Sequence, residues 1–256
     1  MERTKQGQFS WVDLAAKDLE AQTGFYEHLF GWTHTDEPAG PDMIYRMFNS
    51  NGDVVAGAGQ MTPQAYPPGT PSMWNTYVAV DDADAVASKA SELGGSVPMP
   101  AMDVMEEGRM AVIQDPSGGM LGLWQSRHHK GATKFTEPVS ITWNDLSTRD
   151  MNTAADFYEK LLGWSIERDG GSQPPYWQIT VDGEPEGGIM PMPEQLPAEV
   201  PPHWMIYFAV DDVRATTEKV RQLGGNVEME PMEAGQYVFS VISDPAGAVF
   251  AVMQVK

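Results

Sequence analysis

The pattern Trp-x-Asp occurs twice in this chain, as Trp11 and Asp13 and again as Trp143 and Asp145. Both copies lie in short alternating runs that predict β-strands, and residues two apart on a strand share one face. An apolar core gains nothing from a carboxylate, so the repetition favours a functional role for the aspartates. Either aspartate would serve as a general base if burial raised its pKa; a solvated or capping aspartate is the alternative interpretation.

The histidines offer further candidates. His203 lies two residues before Met205, so it either reaches the same strand face or stays a solvated loop residue beside two prolines. His128 and His129 are adjacent and form either a metal site or a chance surface pair. The remaining histidines are predicted at exposed helix and strand positions: His28 and His34.

Arg109 is the basic residue with a possible binding role. It follows Glu106 and Glu107, so it either holds an anion or forms an ion pair with those glutamates. The chain contains no cysteine, which excludes a thiol nucleophile. No glycine-rich phosphate loop precedes a helix, and no serine triad has a visible signature.

Each Trp-x-Asp pair belongs to a longer repeated segment, since residues Phe9 to Trp32 return as Ser140 to Trp164. In both copies an aspartate suited to cap a helix is followed by an apolar stripe at helical spacing and then by a terminating glycine. The capping and terminating pairs are Asp18 with Gly31 and Asp150 with Gly163. The segment is therefore a duplicated strand–helix unit.

The strand–helix pattern restarts within each half, after a proline-rich segment that is neither helix nor central strand. These segments are residues 62–72 and 191–202. Turn signals divide the segment after each helix into three strands, so the chain reads as four βαβββ units and an α+β fold. We predict two domains, residues 1–127 and 138–256, joined by a polar connection.

Composition limits the partners. The chain has 16 basic and 36 acidic residues, a net charge of −20, and 41% hydrophobic residues. So acidic a surface repels phosphate backbones and anionic lipids, which argues against nucleic-acid and membrane partners. No apolar run approaches bilayer length and no signal peptide is visible, so we expect a cytoplasmic protein.

Three motifs of the first half each have a counterpart in the second half. They are KDLEAQTGFYEHLFGW with RDMNTAADFYEKLLGW, VDDADAVASKASELGG with VDDVRATTEKVRQLGG, and DPSGGMLGLW with DPAGAVFAVM, and together they cover most of the repeat. Four such units resemble the vicinal oxygen chelate superfamily, which includes glyoxalase I, bleomycin-resistance proteins and extradiol dioxygenases. The chain is most similar to its tandem-domain bacterial glyoxalase-like group. The resemblance implies two half-open eight-stranded cups that hold small ligands, with a divalent metal in the catalytic members.

The resemblance also places the metal ligands of those catalytic members at three strand positions per half. Those positions hold Trp11, Asn75 and Gly122 in the first half and Trp143, Met205 and Ala251 in the second. None is a usual metal ligand, so we predict no family metal site and no cofactor.

Period-two alternation predicts the lining of each cup instead, namely aromatic or thioether surfaces with one carboxylate. The predicted ligand-binding residues are Trp11, Asp13, Asn75, Tyr77 and Trp124 in the first half and Trp143, Asp145, Met205, Tyr207 and Met253 in the second. Such a lining suits a planar, cationic or hydroxylated organic molecule.

Three functions stay open at this point. The chain is a metal-independent binding protein for a small organic molecule, a lyase- or glyoxalase-type enzyme, or an interaction protein whose cups are filled by their own side chains. The enzyme would use Asp13 or Asp145 as base, or an atypical metal site. Each cup forms either from adjacent units or from units swapped between halves or chains, and a homodimer is possible.

Overall fold

The computed structural model describes residues 3–40, 43–168, 171–172 and 174–255. The first half contains β1 (Phe9–Ala16), α1 (Leu19–Phe30), β2 (Thr33–Gly40), β3 (Met43–Ser50), β4 (Asp53–Gln60), β5 (Met73–Ala79), α2 (Ala83–Glu92), β6 (Ser96–Val104), β7 (Gly108–Gln114) and β8 (Met120–Ser126). The second half contains β9 (Ile141–Thr148), α3 (Met151–Leu162), β10 (Ser165–Arg168), β11 (Trp177–Val181), β12 (Glu184–Pro191), β13 (His203–Ala209), α4 (Val213–Gln222), β14 (Asn226–Ala234), β15 (Tyr237–Ser243) and β16 (Val249–Val255). The predicted α+β fold of four βαβββ units is confirmed.

Each half forms one eight-stranded mixed sheet. The strand order is β2-β3-β4-β1-β5-β8-β7-β6 in the first sheet and β10-β11-β12-β9-β13-β16-β15-β14 in the second. The two units of a half meet where β1 pairs with β5, or β9 with β13, both antiparallel. Adjacent units therefore build each sheet, and no described strand is exchanged between the halves. The domain limits at residues 127 and 138 and the homodimer stay predictions.

The predicted helix signals act as expected. The Asp18 carboxylate accepts a hydrogen bond from the Ala21 amide at 3.0 Å, and Gly31 ends α1 with a left-handed φ of 72°. In the repeat, Asp150 accepts from the Thr153 amide at 3.0 Å. These caps satisfy free amides of the first turn and fix where each helix begins after its strand.

The backs of the two sheets pack against each other. Trp74 of β5 meets Phe208 of β13 with ring centroids 5.3 Å apart. The Thr76 hydroxyl donates to the Asn144 side chain across the same boundary at 2.9 Å. Both hydrophobic clusters of the core include residues from both halves. Because neighbouring strand residues point to opposite faces, the faces that carry Asp13 and Asp145 point away from this boundary.

Two buried tyrosine–aspartate bonds also join the halves. The Tyr26 hydroxyl of α1 donates to Asp244 in the second half at 3.0 Å, and the Tyr158 hydroxyl of α3 donates to Asp115 in the first half at 3.0 Å. Gln22 adds a 2.6 Å bond to Asp244. Each half thus supplies a donor to a buried carboxylate of the other.

Among the described residues, no helix is long and apolar enough to cross a membrane.

Candidate functional site

Asp13 lies near the centre of the first sheet and is surrounded by neutral hydrogen-bond donors. The Tyr45 and Tyr77 hydroxyls donate to its Oδ2 at 3.2 and 3.1 Å, and Asn75 Nδ2 donates to its Oδ1 at 2.9 Å. The strand register explains this convergence, because Asp13 pairs directly with Asn75 of β5. We call this face of the first sheet the first cup, lined by Trp11, Asp13, Asn75, Tyr77 and Trp124.

Trp11 extends the network. Its Nε1–H donates to the Tyr45 hydroxyl at 2.9 Å, so the indole, the phenol and the carboxylate form one hydrogen-bonded chain. Trp11, Tyr77 and Trp124 are buried, whereas Asp13 and Asn75 are half-buried. The polar groups therefore sit within a wall of aromatic surface.

Glycines make room for the two phenols. A Cβ atom built on Gly57 would overlap the Tyr45 hydroxyl, and one built on Gly122 would overlap the Tyr77 ring. A glycine within a strand often marks the close approach of another group, and here that group is a tyrosine aimed at Asp13.

The second cup repeats the arrangement around Asp145. Its Oδ1 accepts hydrogen bonds from Tyr176 at 2.8 Å and from Trp143 Nε1 at 2.9 Å, and Tyr207 is a further donor. Trp143 Nε1 also approaches the Tyr176 hydroxyl at 2.7 Å. We define the second cup by Trp143, Asp145, Met205, Tyr207 and Met253. The same set of four residues, one Trp, one Asp and two Tyr, therefore recurs around both aspartates.

Burial and hydrogen bonding act in opposite directions on the two carboxylates. Desolvation raises the pKa of Asp13, while Asn75 and the two phenols oppose that shift. In the second cup desolvation raises the pKa of Asp145 to about 6 against the opposing effect of its three donors. Burial and the nearby carboxylates hold the pKa values of Tyr77 and Tyr207 well above the ordinary value, so these phenols keep their protons and donate.

Sequence reasoning missed three tyrosines. Tyr45 and Tyr176 hold equivalent places beside Gly57 and Gly188, and tyrosines at equivalent points of a repeat were the available signal. Tyr66 comes from the proline-rich segment 62–72, where its hydroxyl interacts with Asn75 and where burial and the Asp13 charge raise its pKa.

His129 was also missed. The prediction of an exposed histidine pair holds for His128 but is wrong for His129, whose ring packs edge-on against Trp11 at 4.4 Å and against Trp124 at 5.6 Å. Burial lowers the pKa of His129 to about 4, so the imidazole is neutral at ordinary pH. Trp124 Nε1 donates to the His129 carbonyl at 2.9 Å and fixes the connection against the first cup.

The other predicted polar residues do not join either cup. Arg109 forms ion pairs with Asp84 at 2.6 Å and Asp103 at 3.1 Å, so its predicted pairing with Glu106 and Glu107 is wrong, and it holds no place for an anion in the cup. His203 is half-buried, and its ring nitrogen meets the Pro201 carbonyl two residues away in the chain at 2.9 Å.

The residues at the family's metal positions do not fit a divalent ion. The Trp11 indole has a donor N–H without a free lone pair, Asn75 directs its amide N–H toward Asp13, and Gly122 has no side chain. In the described part of the chain, no three His, Asp or Glu side chains are grouped to hold a metal. The groups able to contact a ligand in either cup are therefore its aspartate and its aromatic side chains.

Two cavities lie outside the aspartate networks. One of about 450 Å³ borders the first turn of α3, and one of about 390 Å³ borders the first turn of α1. The second of these touches Tyr45 but neither cavity is lined by Asp13 or Asp145. We place the candidate site at the aspartates because hydrogen-bond donors and aromatic rings converge there in both halves.

Two similar proteins match nearly the whole chain in sequence. The chain is 43% identical to a protein named putative glyoxylase CFP32 of Mycobacterium bovis, over 98% of this chain and 95% of that protein. It is 36% identical to the anthracycline biosynthesis protein DnrV of Streptomyces peucetius, over 100% of this chain and 96% of that protein.

Solved structures share the fold at low sequence identity. The Mn(II)-bound glyoxalase from Novosphingobium aromaticivorans superposes with a TM-score of 0.65 at 17% identity, over 99% of this chain and 83% of that one. The 2,3-dioxygenase LapB from Pseudomonas sp. KL28 superposes with a TM-score of 0.66 at 15% identity, over 98% of this chain and 93% of that one.

The model of the family described as glyoxalase/bleomycin resistance protein/dioxygenase superfamily matches residues 8–123 and 140–252, one match in each half. The predicted resemblance is thereby confirmed, and the chain belongs to the glyoxalase/bleomycin resistance protein/dioxygenase superfamily.

Proposed function

We propose that this protein binds a small, planar organic molecule in an aromatic-lined cup without the family metal site. One observation carries the proposal: the network of Trp, Asp, Tyr and Tyr that occupies and flanks the family's metal positions in both halves. A carboxylate among aromatic rings accepts a hydrogen bond from a ligand hydroxyl while the rings bury the ligand's faces.

The name of one relative supports this ligand class. DnrV is named for anthracycline biosynthesis, and an anthracycline is built on planar fused rings. The aspartate and the flat lining supply what a hydroxylated molecule of that shape requires, one acceptor and stacking surfaces.

A second candidate function is acid–base catalysis. Burial raises the pKa of Asp145 to about 6, which favours proton exchange near neutral pH. In that case the protein is a lyase- or glyoxalase-type enzyme with Asp145 or Asp13 as base. Turnover that is lost in Asp13→Asn or in Asp145→Asn while ligand binding persists would support this candidate.

The third possibility, a cup filled by its own side chains, is favoured by one contact. The Tyr77 ring lies directly on Gly122 and occupies part of the cup floor. A protein that binds no planar molecule in either cup would support a role in protein interaction instead.

The first experiment is native mass spectrometry with metal analysis on the same purified sample, before and after a chelator. We expect a metal-free protein that accepts an aromatic molecule. A stoichiometric divalent metal that is required for ligand binding would contradict the proposal.

The binding test uses naphthol and its methyl ether in isothermal titration calorimetry. We expect naphthol to bind more tightly, because only naphthol donates a hydrogen bond to the carboxylate. Asp13→Ala should weaken naphthol binding about tenfold, the size of one lost hydrogen bond to a charged group, while Asp81→Ala removes an exposed carboxylate as the matched control. Equal binding of both compounds to wild-type protein and to Asp13→Ala would contradict a role for the first cup.

A further inference from the structure

Asp13 has no cationic partner among the residues that the structure describes. The three groups that hydrogen-bond to its carboxylate, from Tyr45, Asn75 and Tyr77, are all neutral. In the described chain its carboxylate accepts no backbone N–H, unlike the buried carboxylate of Asp244, which accepts the amides of Ala246 and Ala248 within its own turn.

The buried Asp145 of the second cup, like Asp13, has only neutral donors among the described residues, but two other buried charges in this protein are paired with an opposite charge. Arg46 is 3% exposed and forms ion pairs with Glu20 and Asp36. Glu186 is 4% exposed and pairs with Arg3. A charge removed from water is costly unless an opposite charge or a bound ion compensates it. For the ionised form of Asp13, the described chain therefore supplies hydrogen bonds but no counter-charge.

Aromatic rings surround this carboxylate. Trp11 and Trp124 form the wall, Tyr45 and Tyr77 donate to Asp13, and the hydroxyl of Tyr66 interacts with Asn75 beside it. The face of an aromatic ring is electronegative and attracts cations, best when the ring is tryptophan or tyrosine. Five aromatic side chains and one carboxylate thus lie together on this face of the sheet, a composition that favours positive charge.

The whole molecule favours the same sign. The net charge of −20 raises the local concentration of cations around the protein and disfavours anions. Burial raises the pKa of Asp13, and a cation bound beside it would act against that shift by stabilising the ionised form.

We infer that the first cup binds an organic ammonium ion attached to a planar ring system, with Asp13 as its counter-ion. This inference rests on the proposed function, since it specifies the ligand class of the same cup. The ammonium group lies against Asp13 and the aromatic faces, and the planar part of the ligand stacks toward Trp11 and Trp124.

The test compares tryptamine with tryptophol, which share the indole ring and chain length but end in an ammonium and a hydroxyl group. Calorimetry at physiological ionic strength limits non-specific attraction to the acidic surface. We expect wild-type protein to bind tryptamine about tenfold more tightly than tryptophol, the size of a partly desolvated cation–π and ion-pair contact.

Asp13→Asn keeps the hydrogen-bond acceptor and removes the charge. We expect this variant to bind the two compounds about equally, because the ammonium ion loses its counter-ion while the alcohol keeps its acceptor. Asp81→Asn removes one exposed negative charge outside both cups and should keep the preference for tryptamine.

Two results would overturn the inference: no preference for tryptamine in wild-type protein, or an unchanged preference in Asp13→Asn. If tryptophol and naphthol bind while tryptamine shows no advantage, the ammonium assignment fails and the proposed binding function stands. If none of the three compounds binds the folded protein, both fail.

Discussion

Replacing Asp145 by asparagine should change the stability of the protein relative to wild type in a pH-dependent way. Burial raises the pKa of Asp145 from 3.8 to about 6, so the folded state binds this proton more tightly than the unfolded state does. The stability that protonation contributes is fully present below the unfolded pKa and is lost as the pH rises through the folded pKa. Asparagine does not ionise, so the variant does not lose this stability as the pH rises.

The magnitude is set by the size of the shift. A shift from 3.8 to about 6 corresponds to about 3 kcal/mol between the two limits of pH. Between about pH 4.5 and about pH 7.5 the difference in unfolding free energy between Asp145→Asn and wild-type protein should grow by about 2 kcal/mol in favour of the variant. Altered hydrogen bonds to Tyr176 and Trp143 shift this difference in unfolding free energy by the same amount at every pH. The prediction therefore concerns how the difference changes with pH.

Urea unfolding at a series of pH values measures that slope. The two halves share both hydrophobic clusters, so we expect one cooperative transition to which a single unfolding free energy applies. Asp81→Asn, which removes an exposed carboxylate, is the control. A difference between Asp145→Asn and wild type that stays flat with pH, or that shrinks as the pH rises, would refute the assignment of a raised pKa to Asp145.

Three further predictions concern other contacts. Tyr26→Phe removes a donor from the fully buried Asp244 and should lower the unfolding free energy by about 1–3 kcal/mol in urea titrations; an unchanged midpoint would show that the bond contributes nothing. Gly122→Ala places a Cβ atom where the Tyr77 ring lies, so we expect a lower melting temperature and weaker naphthol binding, and a variant that behaves as wild type would contradict the close contact. His129 should stay neutral in an NMR titration until the pH falls to about 4, whereas titration near its ordinary value would mean that the ring is not buried between the tryptophans.

Much of the fold could be predicted from the repeat in the sequence. The prediction of the fold rests on local signals. Helix caps at Asp18 and Asp150, terminating glycines and period-two alternation all act within a few residues. The same alternation correctly paired Trp11 with Asp13 on one strand face, and their contact through Tyr45 then became visible in the structure.

The rest of the site could not be predicted because it depends on contacts between distant segments. Tyr45 reaches Asp13 only through the register of three neighbouring strands, in which Asp13 pairs with Gly57 and Tyr45 with Gly59. His129 reaches the first cup because its amide donates to the Glu107 carbonyl and its own carbonyl accepts from Trp124, and neither periodicity nor composition indicates these contacts. Arg109 pairs with Asp84, which is 25 residues away in sequence, for the same reason.

The reciprocal bonds from Tyr26 to Asp244 and from Tyr158 to Asp115 bear on how a duplicated gene of this kind evolves. Once each copy completes a buried carboxylate of the other, deletion of either copy leaves a charge without its donor and an apolar sheet face in water. The contacts between the backs of the sheets then make the loss of either copy destabilising. In the described chain, the cup faces of the two sheets do not complete a buried carboxylate of the other half. Their residues can therefore differ between the copies, as Asn75 in the first half and Met205 in the second half do.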